Sequence, residues 1–185
     1  MSHSNHGPIY LWWIGEQEVN VSLMEALRRE VEAHYGPPAA LCGLAQRPIG
    51  TFDGRRAQHS STAILRWLAS ARPADARKTI AITDADLFIP VLTYVYGEAQ
   101  LDGPGATVST ARLAGEPGSW ASPALARSRL LKECIHELGH TFGLTHCDEP
   151  GCVMARSTTL RDVDAKSDAL CPPCKDHLRE LQNRP

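Results

Sequence analysis

The run His136-Glu137-Leu138-Gly139-His140-Thr141-Phe142-Gly143-Leu144-Thr145-His146 places three imidazoles and a carboxylate at spacings that suit a metal ion. Histidines four residues apart on a helix lie one turn apart on one face, so His136 and His140 can both reach an ion at Zn–N distances of about 2.0–2.1 Å. Gly143 suits the left-handed turn that ends a helix and returns His146 as a third ligand. Three nitrogen ligands leave a fourth position open, as catalytic zinc requires. Glu137, beside the first histidine, is placed to take a proton from a water whose pKa the metal lowers toward about 7. A bare His-Glu-x-x-His arises by chance; the turn glycine and the third histidine in register make the signal specific.

A second cluster follows at once: Cys147, Cys152 and the pair Cys171-Pro172-Pro173-Cys174. Four thiolates can close a tetrahedral site with no open position, which is the structural kind of zinc site. Buried free thiols or two disulfides are the alternatives. Against them, the four cysteines fall within 28 positions beside the histidines, and the expected compartment is reducing. Met1 to His6 are polar and the apolar run Ile9 to Ile14 is too short for a secretion signal, so a cytoplasmic protein is expected. Cys171 falls at the start of the final helix, where the helix dipole favours thiolates. If His146-Cys147 is extended, the neighbours point to opposite sides, and one segment serves both metals. Cys42 and Cys134 read as buried small hydrophobes. His3, His6, His34, His59 and His177 have no ligand spacing.

These side chains need elements to hold them. Ile9 to Ile14 is an apolar run expected to form a buried strand. Ser22 to His34 repeats Leu23, Leu27 and Val31 at helical spacing and stops at Gly36-Pro37-Pro38. Ala39 to Ala45 is a weaker strand, and Ser60 to Ala71 a second helix with Ile64, Leu65 and Leu68 on one side. Thr79 to Thr83, Val91 to Tyr96 and Ala106 to Leu113 are three further strand candidates, the last expected at the sheet edge above the metal. Leu125 to Phe142 forms the long helix that bears the histidines, with Leu130, Leu131, Ile135, Leu138 and Phe142 inward. The expectation is an α+β fold, α/β-like in its N-terminal part, with a mixed sheet of four or five strands and one antiparallel edge. Beyond Gly143 only 42 residues remain, with few large apolar side chains, so that piece needs a staple. One domain is expected over 1–185, divided into 1–143 and a zinc-stapled 144–185, since 185 residues suit a single core.

Composition narrows the function classes. A net charge of -2, with Lys and Arg scattered, gives no reason to bind nucleic acid. No stretch reaches the roughly 18 to 20 apolar residues of a membrane span. A monomer with two Zn²⁺ and a peptide or protein substrate is expected. The alternative is a zinc-stabilised peptide-binding module with little or no turnover.

Read whole, His136-Glu137-x-x-His140-x-x-Gly143-x-x-His146-Cys147, then Cys152-x-Met154, then Cys171-x-x-Cys174, resembles the archaemetzincin family of metallopeptidases. The segments Tyr94 to Ala99 and Val108 to Leu113 look like that family's sheet and edge-strand region. The resemblance implies a metzincin-like fold in which His136, His140 and His146 bind a catalytic zinc and Glu137 is the general base. It also implies a Met-turn at Met154 beneath the histidines and a second zinc on Cys147, Cys152, Cys171 and Cys174. Metzincins often carry a tyrosine after the Met-turn, and none follows Tyr96 here, which leaves the oxyanion-stabilising residue unassigned.

Overall fold

A computed structural model describes residues 7–43, 45–116 and 118–184. His3 and His6, and Leu44 of the expected second strand, lie outside them. The chain opens with β1 (Ile9–Trp13) and α1 (Val21–Tyr35). Asn20 starts this helix by accepting from the Leu23 amide, and Gly36 stops it at φ 87°. Next come β2 (Ala39–Leu41), β3 (Phe52–Asp53), β4 (Gln58–Ser60) and α2 (Ser61–Ala71), the last capped by the Ser60 side chain. β5 (Lys78–Thr83), β6 (Leu87–Phe88), β7 (Gly97–Ala99), β8 (Gly105–Ser109) and the hairpin of β9 (Gly115–Glu116) and β10 (Ser119–Trp120) follow. Three helices complete the chain: α3 (Pro123–Thr141), α4 (Leu160–Ala165) and α5 (Pro172–Gln182).

The main sheet has the order β2-β1-β5-β8-β7; its first four strands run parallel and β7 pairs antiparallel with β8. Ile9, Leu11, Ile80, Ile82, Ala106 and Val108 face α1 and α3, while Ile14 and Ala81 meet Ile64 and Leu68 of α2 on the other side. Leu144, Val153, Met154, Val163 and Leu178 join the first of these cores, so the C-terminal segment is packed under the same sheet that α3 covers. No helix among the described residues is long and apolar enough to cross a membrane.

Three strand expectations need correction. Val91 to Tyr96 is a turn and bend with one bridge, Val95 to Leu87. Its β-branched composition suits a pleated surface, but its pairing is confined to that one bridge to β6, and Val91 is 82% exposed. Ala106 to Leu113 ends as a strand at Ser109, and β8 is interior, paired on both sides. The edge is β7, whose Gly97-Glu98-Ala99 has little intrinsic strand preference and is held by its backbone register with β8. The second strand ends earlier than expected, at Leu41.

Candidate active site

α3 begins at Ser122, whose hydroxyl accepts from the Leu125 amide, and puts His136 and His140 on its last two turns. Gly143, at φ 99°, turns the chain so that Leu144 N–H donates to Gly139 O at 3.0 Å. The same turn aims the Leu144 carbonyl at His140 Nδ1, 2.7 Å away, while His136 Nδ1 lies 2.8 Å from Val153 O. Carbonyls only accept, so both Nδ1 atoms hold the proton and both Nε2 atoms present lone pairs. Those Nε2 atoms face each other at 3.1 Å with no hydrogen to share. The separation is close to the about 3.3 Å between two nitrogens on a tetrahedral zinc. His146 comes from the solvent side, its ring centroid 5.3 Å from that of His136 and 4.9 Å from that of His140. One nitrogen from each of the three lies within 4.8 Å of the others. Burial, joined by the charge of Lys166, holds the proton affinity of all three rings below the ordinary histidine value, which favours the neutral, ligating form. Met154 is fully buried beneath them, and a β-carbon added at Gly139 would lie 2.5 Å from its sulfur.

Glu137 is buried and its carboxylate rests against the edge strand: a β-carbon added at Gly97 would lie 2.8 Å from Glu137 Oε1. Burial, then the nearby Glu133, raise its proton affinity well above the ordinary carboxylate range. Glu133 sits one turn earlier on α3 and is itself buried, 2.9 Å from Lys166 Nζ in an ion pair whose side chains are 4% and 1% exposed. Lys166 Nζ also stands 3.5 Å from His136 Nδ1 and 3.4 Å from Ala155 O.

The histidines and Glu137 open onto a cleft of about 510 Å³, with Ile89 and residues 92–97 as one wall and 156–158 as the other. Tyr94 hydroxyl donates to Thr158 O at 3.3 Å and ties the two walls together. Arg112, paired to Asp86 at 2.7 Å, stacks its guanidinium 4.0 Å from the Tyr94 ring centre and fixes that side chain. Tyr96 also lines the cleft, with its hydroxyl 3.5 Å from that of Tyr94. A larger cavity, about 760 Å³, lies between Trp13, Met24, Trp120 and Leu130, and holds none of these groups.

The cysteine cluster is equally compact. Cys147, Cys152, Cys171 and Cys174 bring their sulfurs within 4.8 Å of one another, and all are free thiols. Cys147 and Cys171 sulfurs stand 3.8 Å apart. A disulfide needs about 2.05 Å, whereas two thiolates on a tetrahedral zinc at 2.3 Å are about 3.8 Å apart. Main-chain amides of Glu149 and Cys171 point at Cys147 and Cys152 sulfurs at 3.4 Å each. Burial opposes ionisation of Cys171, yet hydrogen bonds from the Cys174 amide and the neighbouring thiols pull its pKa down. Cys147 N–H donates to Met154 O at 3.0 Å and Cys147 bridges Ala155, so His146-Cys147 is extended and serves both clusters.

Other expectations resolve residue by residue. Cys134 is fully buried, but Cys42 is half-buried. His34, His59 and His177 bond to Glu30 O, Thr51 and Glu180, away from both clusters. Outside both clusters, Trp12 packs against Trp67, and Trp120 is exposed on β10 and lines two other cavities. Sequence reasoning missed Gly97, Tyr94, Glu133, Lys166 and Arg156 as parts of the site. Tyr94 and Gly97 were marked only as part of the segment that resembles the family's edge-strand region, Glu133 left the signal of a carboxylate four residues before Glu137 on an inward helical face, and Lys166 and Arg156 left none.

A mixed sheet whose antiparallel edge strand lies over such a helix is the metzincin-like architecture, and the chain is a zinc-dependent metallopeptidase of that class. The model of peptidase family M54 matches residues 25–180. The chain is 37% identical over 167 residues to an archaemetzincin of Natronomonas pharaonis, covering 88% of this chain and 91% of that one. With an archaemetzincin of Haloquadratum walsbyi it shares 43% over 131 residues, 69% and 75% of the two chains. The crystal structure of the Methanopyrus kandleri archaemetzincin superposes with a TM-score of 0.85 at 30% identity, covering 99% of each chain. That of Archaeoglobus fulgidus, complexed with malonate, gives 0.78 at 30% identity over 91% and 98%. This chain belongs to the archaemetzincin family, peptidase family M54.

Proposed function

We propose that His136, His140 and His146 hold a catalytic zinc, that Glu137 is the general base, and that the cleft hydrolyses peptide bonds. A second, structural zinc is held by Cys147, Cys152, Cys171 and Cys174. The two walls of the cleft belong to 1–143 and 144–185 of one domain. The observation that carries this reading is the pair of Nε2 lone pairs at 3.1 Å, each made obligatory by a carbonyl on its own Nδ1. Two unprotonated nitrogens at that distance repel unless a cation lies between them.

Zinc bound there supplies the Lewis acidity that polarises a scissile carbonyl and acidifies water. Glu137, fixed against Gly97, takes the proton of the attacking water on its carboxylate and hands it to the leaving amine. β7, as the terminal strand of the sheet, offers backbone groups to which an extended peptide can add in register beside Glu137. Burial around Glu137 and His136 keeps bulk water from competing for that proton.

The test pairs turnover with metal content. Glu137→Ala should keep two zinc ions per chain, since Glu137 is not a ligand, and lose about 10²–10⁴-fold in peptide hydrolysis. Equal turnover by variant and wild type would assign the activity elsewhere. No turnover by fully metal-loaded wild type would leave a zinc-stabilised peptide-binding module.

A further inference from the structure

The charges lining the cleft are unequal in availability. Glu133 is buried and paired with Lys166, and Glu137 is buried against the edge strand. Arg156, by contrast, is exposed on the cleft wall and, among the described residues, makes no hydrogen bond or ion pair. Neighbouring guanidiniums are not free in this way: Arg112 is held by Asp86 and Arg129 by Asp164, each at 2.7 Å. The position of Arg156 is set by the turn that supports the metal site, because Ala155 bridges Cys147 and Thr158 O accepts from Tyr94. The guanidinium is thus carried on a segment anchored at both ends, in the same cleft as His146.

We propose that Arg156 selects the substrate by binding a carboxylate of the peptide, either an aspartate or glutamate side chain near the scissile bond or the free C-terminus. The inference rests on the peptide-hydrolysing reading of the cleft. A guanidinium offers a planar fork of N–H donors that matches a carboxylate two-to-two, and the two carboxylates that line the cleft, Glu133 and Glu137, are buried and form no ion pair with it. The remaining lining is apolar or hydroxyl-bearing: Ile89, Leu92, Thr93, Val95, Ser157 and Thr158. An acidic peptide therefore gains a charged partner there, and a basic one meets a like charge.

The experiment compares matched peptides on the zinc-loaded full chain: Asp or Glu against Asn or Gln at each position flanking the cleaved bond, and free-acid against amidated C-termini. Turnover and equilibrium binding are both measured. Wild type should prefer one acid-bearing series by about 10- to 100-fold, and the arm that shows it identifies the carboxylate. The preference should shrink with added salt, collapse to about one in Arg156→Ala, return in part in Arg156→Lys, and invert toward basic peptides in Arg156→Glu. Because wild type alone reports the ratio and its salt dependence, the result does not depend on any variant folding. Equal handling of acid and neutral peptides, or a preference that survives Arg156→Ala, overturns the assignment. If no peptide is cleaved yet the binding ratio is present and lost in Arg156→Ala, Arg156 stands and the hydrolytic reading fails. If peptides are cleaved with no such ratio, hydrolysis stands and the role of Arg156 falls.

Discussion

Gly97 and Glu137 meet where the edge strand crosses α3, and the contact leaves no room for a side chain. A β-carbon at residue 97 would come within 2.7 Å of both Glu137 Cγ and the Thr107 carbonyl oxygen. That oxygen belongs to the paired backbone of β8, so the group able to move is Glu137. Gly97→Ala should lower kcat by about 10²-fold while both metal sites stay filled, since a shift of roughly an ångström in a catalytic group is costly. An unchanged kcat would mean that the edge strand does not position the carboxylate. Behind His136, the Glu133–Lys166 pair poses a different question, because a buried charge is tolerable only while its partner is present. Lys166→Met should cost about 3–5 kcal/mol in denaturant unfolding, and adding Glu133→Gln should recover most of that loss. A double variant no more stable than the single one would show that the lysine acts through packing alone.

At the scale of elements, α3 alone spaces two of the histidines, while the third depends on the segment between Gly143 and α5. His146 is adjacent to Cys147, and Cys171 caps the start of α5, so the cysteine cluster ties the third histidine to the last helix. Cys171→Ser should open that cluster, loosen the segment from 147 to 171 and weaken metal binding at the histidines without touching any of them. His140→Ala should do the reverse, emptying the first site and sparing the second. Metal counts and thermal melts on the two variants separate these outcomes. A Cys171→Ser protein that melts like wild type and keeps full activity would remove the cysteines from the account. Leu144, Val153, Met154 and Val163 pack into the main core, so local loosening is expected and not loss of the sheet.

The whole molecule joins a cluster of three histidines to one of four cysteines, and with zinc in both, as proposed, the open three-ligand site and the closed four-thiolate one should respond differently to metal removal. A chelator should abolish hydrolysis first, with the melting temperature falling only at concentrations that strip the cysteine cluster. Simultaneous loss of activity and stability would argue for one cooperative site. How the molecule divides between local and distant determinants follows the same line. The sequence by itself marked the two clusters, three histidines and four cysteines, together with Glu137 and the helix that bears it, because i, i+4 spacing, a helix-ending glycine and clustered cysteines act over a few residues. It also marked β1, α1, α2, β5 and α3, whose apolar periodicity is local. The resemblance marked Tyr94 to Ala99 as part of a sheet and edge-strand region, but only the tertiary structure decided that Gly97–Ala99, and not the β-branched Val91 to Tyr96, forms the antiparallel edge, since strand pairing is chosen by the neighbour available and not by propensity alone. The same holds for Glu133 with Lys166, Tyr94 with Thr158, and the unpaired Arg156. Their partners, or the lack of them, are set by how a shared core folds the last 42 residues beneath the sheet, and packing between segments far apart in the chain leaves no periodic trace in the sequence.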